Sequence, residues 1–179
     1  MNSKLIKILN TGGTAVLLTD TLYGIVGQAL NKKTVERIYK IKKRNKKKPL
    51  IILISSVQDL KLFGVKIDKE LKAKLGKFWP GPNSLILPCG AQNYYLHRGK
   101  KCLAFRLPKK KSLISLIKKT GPLVAPSANP EGLPPAENIK MAKDYFGDQI
   151  DCYVKGGQSK AQASKLIKIG KNGELKVIR

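Results

Sequence analysis

The stretch KKRNKKKPLIILI (residues 42–54) joins a strongly basic run directly to an all-apolar run. Leu50–Ile54 carries no polar residue on either side of an extended chain, which is typical of a strand buried on both faces near the centre of a sheet. Pro49 has no backbone N–H and separates this strand from the basic run. We therefore expect a central strand whose preceding loop is densely positive.

On both sides of this stretch, apolar residues recur alternately with helical and with extended spacing. Helices are predicted at 3–9, 68–75, 112–120 and 137–146. Another helix is predicted to begin after an N-cap at Asn31 and to end at the basic run. Strands are predicted at 15–18, 50–54, 85–87, 103–105, 123–125 and 152–154, with a final pair at 166–169 and 175–178 joined by a turn at 170–173. Because helices are interleaved with strands throughout, the pattern predicts an α/β fold with a mixed sheet.

Length and charge limit the classes of protein that this chain can be. Its 179 residues, 42% hydrophobic and 26% charged, suit one globular core better than two. The 36 Lys and Arg residues exceed the 11 Asp and Glu residues by 25, so an anionic partner is expected. All but five of these basic residues are lysines spread over almost every segment. A solvated lysine coat and a dedicated surface for a polyanion therefore both stay open.

Membrane residence and secretion are not expected. The longest apolar runs are far shorter than the ~20 residues that a spanning helix needs. Residues 1–10 lack the apolar core and cleavage site of a signal peptide, so we expect a cytoplasmic protein. The three cysteines, Cys89, Cys102 and Cys152, are far apart and have one histidine between them, which predicts neither a disulfide framework nor a metal site.

Three polar loops are the first places to look for a binding site, because ligands in α/β sheets gather where loops converge at strand ends. These loops are Thr19-Asp20-Thr21, Lys42–Lys48 and Ser127-Ala128-Asn129. Taken singly, each also fits ordinary turn chemistry or a solvated face.

Several common catalytic signals are missing from the sequence. It contains no GxxxxGK[ST], GxGxxG or GxSxG motif, which argues against P-loop NTPases, dinucleotide enzymes and α/β hydrolases. His97 has no acid or thiol nearby in sequence and is interpreted as a surface or loop residue. Any chemistry would then depend on positioning and on cations that stabilise phosphate charge.

Five motifs, taken together and in order, resemble the YrdC family of threonylcarbamoyl-AMP synthases. They are TDTLYG (19–24), KxR with KPLI (42–51), FWPGP (78–82), AFRLP (104–108) and PSAN with Gly132 (126–132). The resemblance runs from about residue 10 to the end. It implies a single YrdC-like domain over residues 1–179, an α/β fold with a twisted mixed sheet flanked by helices and a concave basic groove.

The resemblance also implies an enzyme, a nucleotidyltransferase. Members of the family condense L-threonine, bicarbonate and ATP, with Mg²⁺ as cofactor, into threonylcarbamoyl-AMP and diphosphate. Threonylcarbamoyl-transfer proteins then use this intermediate to modify the adenosine beside the anticodon of tRNA. No membrane partner is implied.

Residue by residue, the resemblance implies a set of site residues. The triphosphate would be held by the catalytic cations Lys42, Arg44 and Lys48. Nucleotide-binding residues would be Arg44, Lys48, Ser127, Asn129 and Arg179, and threonine-binding residues Thr21, Arg106 and Ser164, with no resident metal ligand. The planar fork of Arg106 suits the threonine carboxylate better than a lysine would. Trp79 is interpreted as a structural corner.

The chain departs from the family pattern at several positions. Leu18 stands where proline is usual, Asn83-Ser84 where an apolar residue and threonine are usual, and Glu131-Gly132 where Ser-Gly is common. Glu131 is expected to repel phosphate unless it binds the metal or points away.

Two alternatives stay open. One is a non-catalytic RNA-binding protein of the same fold, which would grip tRNA or double-stranded RNA through its phosphates. The other is a carbamoyl-adenylate module like the YrdC-like part of hydrogenase maturation proteins, which carry further domains.

Overall fold

The computed structural model describes residues 3–159, 162–170 and 174–179. Within these ranges the strands are β1 Ala15–Leu18, β2 Tyr23–Gln28, β3 Ile51–Leu53, β4 Asn83–Pro88, β5 Cys102–Arg106, β6 Leu123–Val124, β7 Cys152–Tyr153, β8 Lys165–Ile169 and β9 Leu175–Val177. The α-helices are α1 Ser3–Asn10, α2 Lys32–Ile41, α3 Lys69–Gly76, α4 Tyr94–His97, α5 Lys111–Thr120 and α6 Ile139–Phe146, and 3₁₀ helices span Val57–Phe63 and Gly147–Gln149.

The described strands form one mixed sheet in the order β7-β1-β2-β6-β3-β5-β4-β8-β9. The pairs β1/β7, β3/β5 and β4/β8 are parallel, and the other neighbours are antiparallel. β3 is the fifth of the nine strands, so the apolar run is the central strand that the sequence predicts. The predicted α/β class with a mixed sheet is confirmed.

Helices cover both faces of the sheet because side chains alternate along the central strands. Ile52 belongs to a core cluster with Val35 and Ile38 of α2 and Phe146 of α6. Its neighbour Leu53 belongs to a second cluster, shared with Leu5 and Leu9 of α1 and with Leu113, Leu116 and Ile117 of α5. The sheet is therefore a buried layer whose loops at the strand ends carry the polar residues.

The sequence pattern did not predict β2, because two glycines interrupt its apolar residues. Both glycines are explained by close packing. A Cβ on Gly27 would lie 2.4 Å from Cγ2 of Thr34, and one on Gly24 would lie 3.2 Å from the carbonyl oxygen of Pro126. Glycine has a low strand propensity, but these two positions require it. The helix α2 packs closely against Gly27, and the chain after β6 packs closely against Gly24.

The interpretation of His97 as a surface or loop residue is wrong. His97 lies in α4 and is 3% exposed. Its ring is satisfied by the backbone: Nε2 lies 3.2 Å from the Ala91 carbonyl oxygen, and Gly99 N–H donates to Nδ1 at 3.1 Å. Local backbone partners allow a polar ring to be buried without an acid or a thiol nearby.

The predicted final hairpin is confirmed in its pairing, since β8 and β9 are antiparallel and Gly170 N–H donates to the Glu174 carbonyl at 2.8 Å. Turn residues 171–173 lie outside the described residues. Across the described part of the chain, none of the helices has both the length and the apolar character needed to cross a membrane.

Candidate active site

Three chain segments that are distant in sequence meet where β2, β6 and β3 pair. Gly24, near the start of β2, forms a bridge with Ser127 beyond the end of β6. Ala125 N–H donates to the Ile51 carbonyl of β3 at 2.9 Å. The segments 19–24, 49–51 and 125–127 thereby become walls of one cavity of about 160 Å³. That volume is below the range of about 300–1,000 Å³ that is typical of pockets holding a whole drug-sized ligand, so a ligand of that size would extend beyond this cavity.

The cavity wall is cationic. Three guanidinium side chains line it, from Arg44, Arg106 and Arg179, while among the described residues that line it there is no Asp or Glu. Hydroxyl-bearing residues complete the polar lining, namely Thr19, Thr21, Tyr23, Ser127 and Ser164. Guanidinium groups and hydroxyls donate hydrogen bonds to carboxylate and phosphate oxygens, so the cavity favours an anionic ligand.

Arg106, the last residue of β5, is held almost completely buried between the threonines of the 19–21 turn. Nη1 donates to Thr21 Oγ1 at 3.0 Å and Nη2 to Thr19 Oγ1 at 3.4 Å. Burial lowers the pKa of Arg106, and the carboxylate of Asp20 opposes that shift. A guanidinium stays protonated at any physiological pH. Its Nε is buried with no hydrogen-bond partner among the described residues, so one donor of the guanidinium is unsatisfied.

Asp20 does not line the cavity but pairs with Arg106 of its wall, a role that the sequence reasoning did not assign. Its Oδ1 lies 3.1 Å from Arg106 Nη2, and the two side chains are 8% and 4% exposed. Both carboxylate oxygens lack a hydrogen-bond partner among the described residues, although the ion pair supplies opposite charge. In sequence, Asp20 fits a turn that satisfies its own backbone. The available signal was a carboxylate directly after a buried strand, between two threonines.

Lys42, which the resemblance places on the triphosphate, lies behind the cavity wall instead of lining it. It is 1% exposed, and its ammonium donates to the backbone carbonyls of Ser127 and Asn129. Burial, followed by repulsion from Arg44, lowers the pKa of Lys42 to about 7. In this position Lys42 fixes the course of the 127–129 loop from its rear.

Ser127 and Asn129 have different places in that loop. Ser127 lines the cavity, and its hydroxyl donates to Asn129 Oδ1 at 2.6 Å. Asn129 does not line the cavity, and its Nδ2 donates to the carbonyls of Pro130 at 3.0 Å and Leu133 at 2.6 Å. Asn129 therefore shapes the loop, while Ser127 forms part of the cavity wall.

The basic loop contributes Arg44 to the cavity and turns Lys48 away from it. Arg44 Nε donates to the Lys48 carbonyl at 3.2 Å, and Tyr39 OH donates to the same carbonyl at 3.0 Å. The Lys48 ammonium lies 2.5 Å from Glu131 Oε1 and is absent from the cavity wall. Glu131 therefore forms an ion pair with Lys48, and neither residue lines the cavity.

The far wall combines two late residues with one of the departures from the family pattern. Ser164 is buried, and its hydroxyl lies 2.9 Å from the hydroxyl of Ser84. Arg179 Nη2 donates to the Ser164 carbonyl at 3.4 Å. Asn83 accepts the indole N–H of Trp79 at 2.7 Å through its carbonyl, and Trp79 lies in the core, as a structural corner should.

Of the nine residues that the resemblance implies, six line this cavity, and they come from six separate segments. They are Thr21, Arg44, Arg106, Ser127, Ser164 and Arg179. The other three, Lys42, Lys48 and Asn129, lie in the loops that support its wall.

A fold and a site of this kind define a family of proteins. The model of the Sua5/YciO/YrdC family, described as "Telomere recombination", matches residues 7–179. The chain belongs to this family.

Relatives with assigned names are similar over most of this chain. A protein of Pyrococcus abyssi named threonylcarbamoyl-AMP synthase is 33% identical over 155 residues, which are 85% of this chain and 45% of that protein. A protein of the same name from Coxiella burnetii is 30% identical over 84% of this chain and 82% of its own length. The crystal structure of P. abyssi Sua5 complexed with L-threonine superimposes with a TM-score of 0.89 at 28% identity, covering 98% of this chain and 52% of that one. The chain therefore spans about half the length of its P. abyssi relative.

Proposed function

We propose that this protein is a threonylcarbamoyl-AMP synthase, which joins L-threonine, bicarbonate and ATP to give threonylcarbamoyl-AMP, diphosphate and water. The observation that carries the proposal is the cavity wall in which Arg44, Arg106 and Arg179 converge without an acidic lining residue among those described. The names of the relatives and the threonine complex of P. abyssi Sua5 support the choice of substrates.

The threonine end of the site is proposed to lie at Arg106. Arg106 lines the cavity, and its guanidinium, whose Nε has no partner among the described residues, would give the amino-acid carboxylate a charge-assisted hydrogen bond. The neighbouring hydroxyls of Thr21 and Ser164 would contact the rest of the amino acid. Because the guanidinium is already fixed by the two threonines of the turn, little side-chain entropy is lost when the ligand binds.

The nucleotide end is proposed to lie along Ser127, Arg44 and Arg179, with Lys42 and Asn129 holding the loop in place. The threonine amine and bicarbonate give a carbamate and water. A carbamate oxygen then forms a bond to the α-phosphorus of ATP, and the bond from that phosphorus to the bridging oxygen breaks to release diphosphate. Both reactants are anions, so the site must reduce their repulsion. At an effective dielectric constant near 20, a cation about 4 Å away offsets on the order of 4 kcal/mol.

Mg²⁺ is proposed to enter with ATP. Among the described residues there is no group of three or more His, Cys, Asp or Glu side chains that could hold a metal ion. The donor set at the cavity is cationic, so it fits the phosphates and not the metal. The Mg²⁺ would be held by phosphate oxygens and water, and it would neutralise part of the triphosphate charge.

The experiment that tests this proposal measures diphosphate release with ATP, Mg²⁺, bicarbonate and L-threonine, and detects the threonylcarbamoyl adenylate by mass spectrometry. We expect release that depends on threonine, with L-serine as the matched control because it lacks only the γ-methyl group. If no threonine-dependent release occurs and the protein instead binds RNA tightly and in a salt-sensitive way, the non-catalytic RNA-binding alternative replaces the proposal.

A further inference from the structure

Glu131 makes a contact that the proposed reaction does not use. It follows the 127–129 loop, and its side chain reaches the basic loop 83 residues earlier in sequence. Oε1 accepts a hydrogen bond from the Lys48 ammonium at 2.5 Å, and Oε2 accepts one from the backbone N–H of Asn45 at 2.5 Å. Glu131 N–H also donates to the Lys42 carbonyl at 2.8 Å, so the backbone is held there independently of the carboxylate.

The donors that hold this carboxylate are the kind that hold phosphate. An ammonium and a backbone N–H converge on one anion, and such charge-assisted donors serve phosphate oxygens equally well. The hydrogen bond from Lys48, followed by that from Asn45, lowers the pKa of Glu131, so the side chain is ionised at neutral pH. Arg44, the residue immediately before Asn45 in the basic loop, lines the cavity itself.

A triphosphate and Glu131 cannot use the Lys48 ammonium in the same way at the same time. If Lys48 turns toward a bound nucleotide, its contact with Glu131 must break, and the carboxylate then faces a second anion. The side chains of Lys48 and Glu131 are 58% and 27% exposed, so water and ions reach the pair and it can open readily. The contact is therefore a competing one, not a rigid part of the fold.

We propose that Glu131 is a built-in competitor for the phosphate site: its carboxylate occupies Lys48 and the Asn45 N–H until a polyphosphate displaces it, and so it sets how tightly nucleotide binds. This inference rests on the proposed function for the identity of the nucleotide. The anion-binding part of it does not depend on catalysis, since any polyphosphate that reaches these donors must displace the same carboxylate.

The test compares E131Q and E131S with the wild type, and uses E70Q as the matched control. Glu70 forms an exposed ion pair with Lys74 at the same 2.5 Å distance on α3, and its substitution raises the net charge by the same one unit. Isothermal titration calorimetry measures binding of inorganic tripolyphosphate and of Mg²⁺-bound α,β-methylene-ATP. We expect both Glu131 variants to bind each probe roughly two- to fivefold more tightly than the wild type, with E70Q close to the wild type.

The possible outcomes either support or overturn the inference about Glu131. Unchanged or weaker binding in E131Q and E131S, an equal gain in E70Q, or no measurable binding by any form overturns the inference. In the synthase assay the KM for ATP falls in E131Q while the KM for threonine is unchanged, a separation that a purely structural role would not produce. Tighter tripolyphosphate binding without threonine-dependent diphosphate release in the wild type supports the inference and refutes the proposed function. Threonine-dependent diphosphate release by the wild type, with unaltered polyphosphate affinities in both Glu131 variants, supports the proposed function and refutes the inference.

Discussion

Replacement of Arg106 by glutamine removes the charge at the proposed threonine end while keeping a polar side chain. The perturbation acts on a buried pair, since Arg106 and Asp20 are 4% and 8% exposed with 3.1 Å between Nη2 and Oδ1. R106Q leaves the Asp20 carboxylate buried without its counter-charge. Breaking a buried pair in this way typically costs about 3–5 kcal/mol of unfolding free energy.

The effect on threonine binding can be estimated separately. A hydrogen bond to a charged group contributes about 1.5–3 kcal/mol, which corresponds to a roughly 10- to 150-fold rise in the KM for threonine. The KM for ATP should change by less than about threefold, because the proposed nucleotide contacts lie on Ser127 and Arg44 at other parts of the wall.

The assay is threonine-dependent diphosphate release at saturating ATP, with urea unfolding of the same preparations. The double variant D20N/R106Q should recover most of the lost unfolding free energy, because the unpaired carboxylate is gone, and it should keep the raised KM. An unchanged threonine KM in either folded variant would refute the assignment of Arg106 to the substrate carboxylate and make Arg106 a purely structural residue.

Three further substitutions test the phosphate end of the site, the buried Lys42 and the contact between Ser84 and Ser164. R44A should lower turnover more than tenfold in the diphosphate release assay, because it removes a guanidinium from the cavity. The control R37A, which breaks an exposed ion pair with Asp151, should change turnover less than twofold. Equal effects of the two substitutions would contradict the role of Arg44 in binding phosphate. Burial lowers the pKa of Lys42 to about 7, whereas the pKa of an unfolded lysine is near 10.4, so the unfolded state binds more protons between these two pH values. The unfolding free energy of the wild type, measured by urea titration, should therefore rise relative to that of K42M by about 2–3 kcal/mol from pH 7 to pH 9. Parallel pH profiles of the two proteins would contradict the buried position of this amine. S84A removes the hydroxyl that contacts Ser164 and should lower the unfolding free energy by about 1 kcal/mol, measured in the same way; a change near zero would show that the two hydroxyls do not interact.

Local patterns in the sequence are sufficient to predict most of the fold. The apolar run at 50–54 could be identified as the central strand because no polar side chain interrupts it, and Asn31 caps α2 with its side chain accepting from Thr34 N–H, as its position predicts. β2 was missed because its glycines are required by contacts with Thr34 and Pro126, which lie elsewhere in the chain. His97 was misinterpreted for a similar reason, since its partners are backbone groups that have no sequence signature.

The site could be predicted as a set of residues but not as a set of contacts. Motifs place Thr21 and Ser127 in polar loops and Arg106 in AFRLP, and the structure brings the three residues to one cavity. The pairing of Glu131 with Lys48 joins residues 83 positions apart. Such pairings follow from strand order in three dimensions, so no local spacing rule contains them. Asp20 was visible in its loop, but its burial against Arg106 depends on β5, which lies far away in sequence.

The proposed function requires one cationic cavity to bring an amino acid and a nucleotide together. The most direct measurement is a crystal structure of the protein with L-threonine and α,β-methylene-ATP, an analogue whose α–β bridge cannot be cleaved. We expect the threonine carboxylate within hydrogen-bond distance of Arg106 and the phosphates along Ser127 and Arg44 in the same cavity. Threonine and the analogue bound in separate places, or a threonine carboxylate away from Arg106, would contradict it.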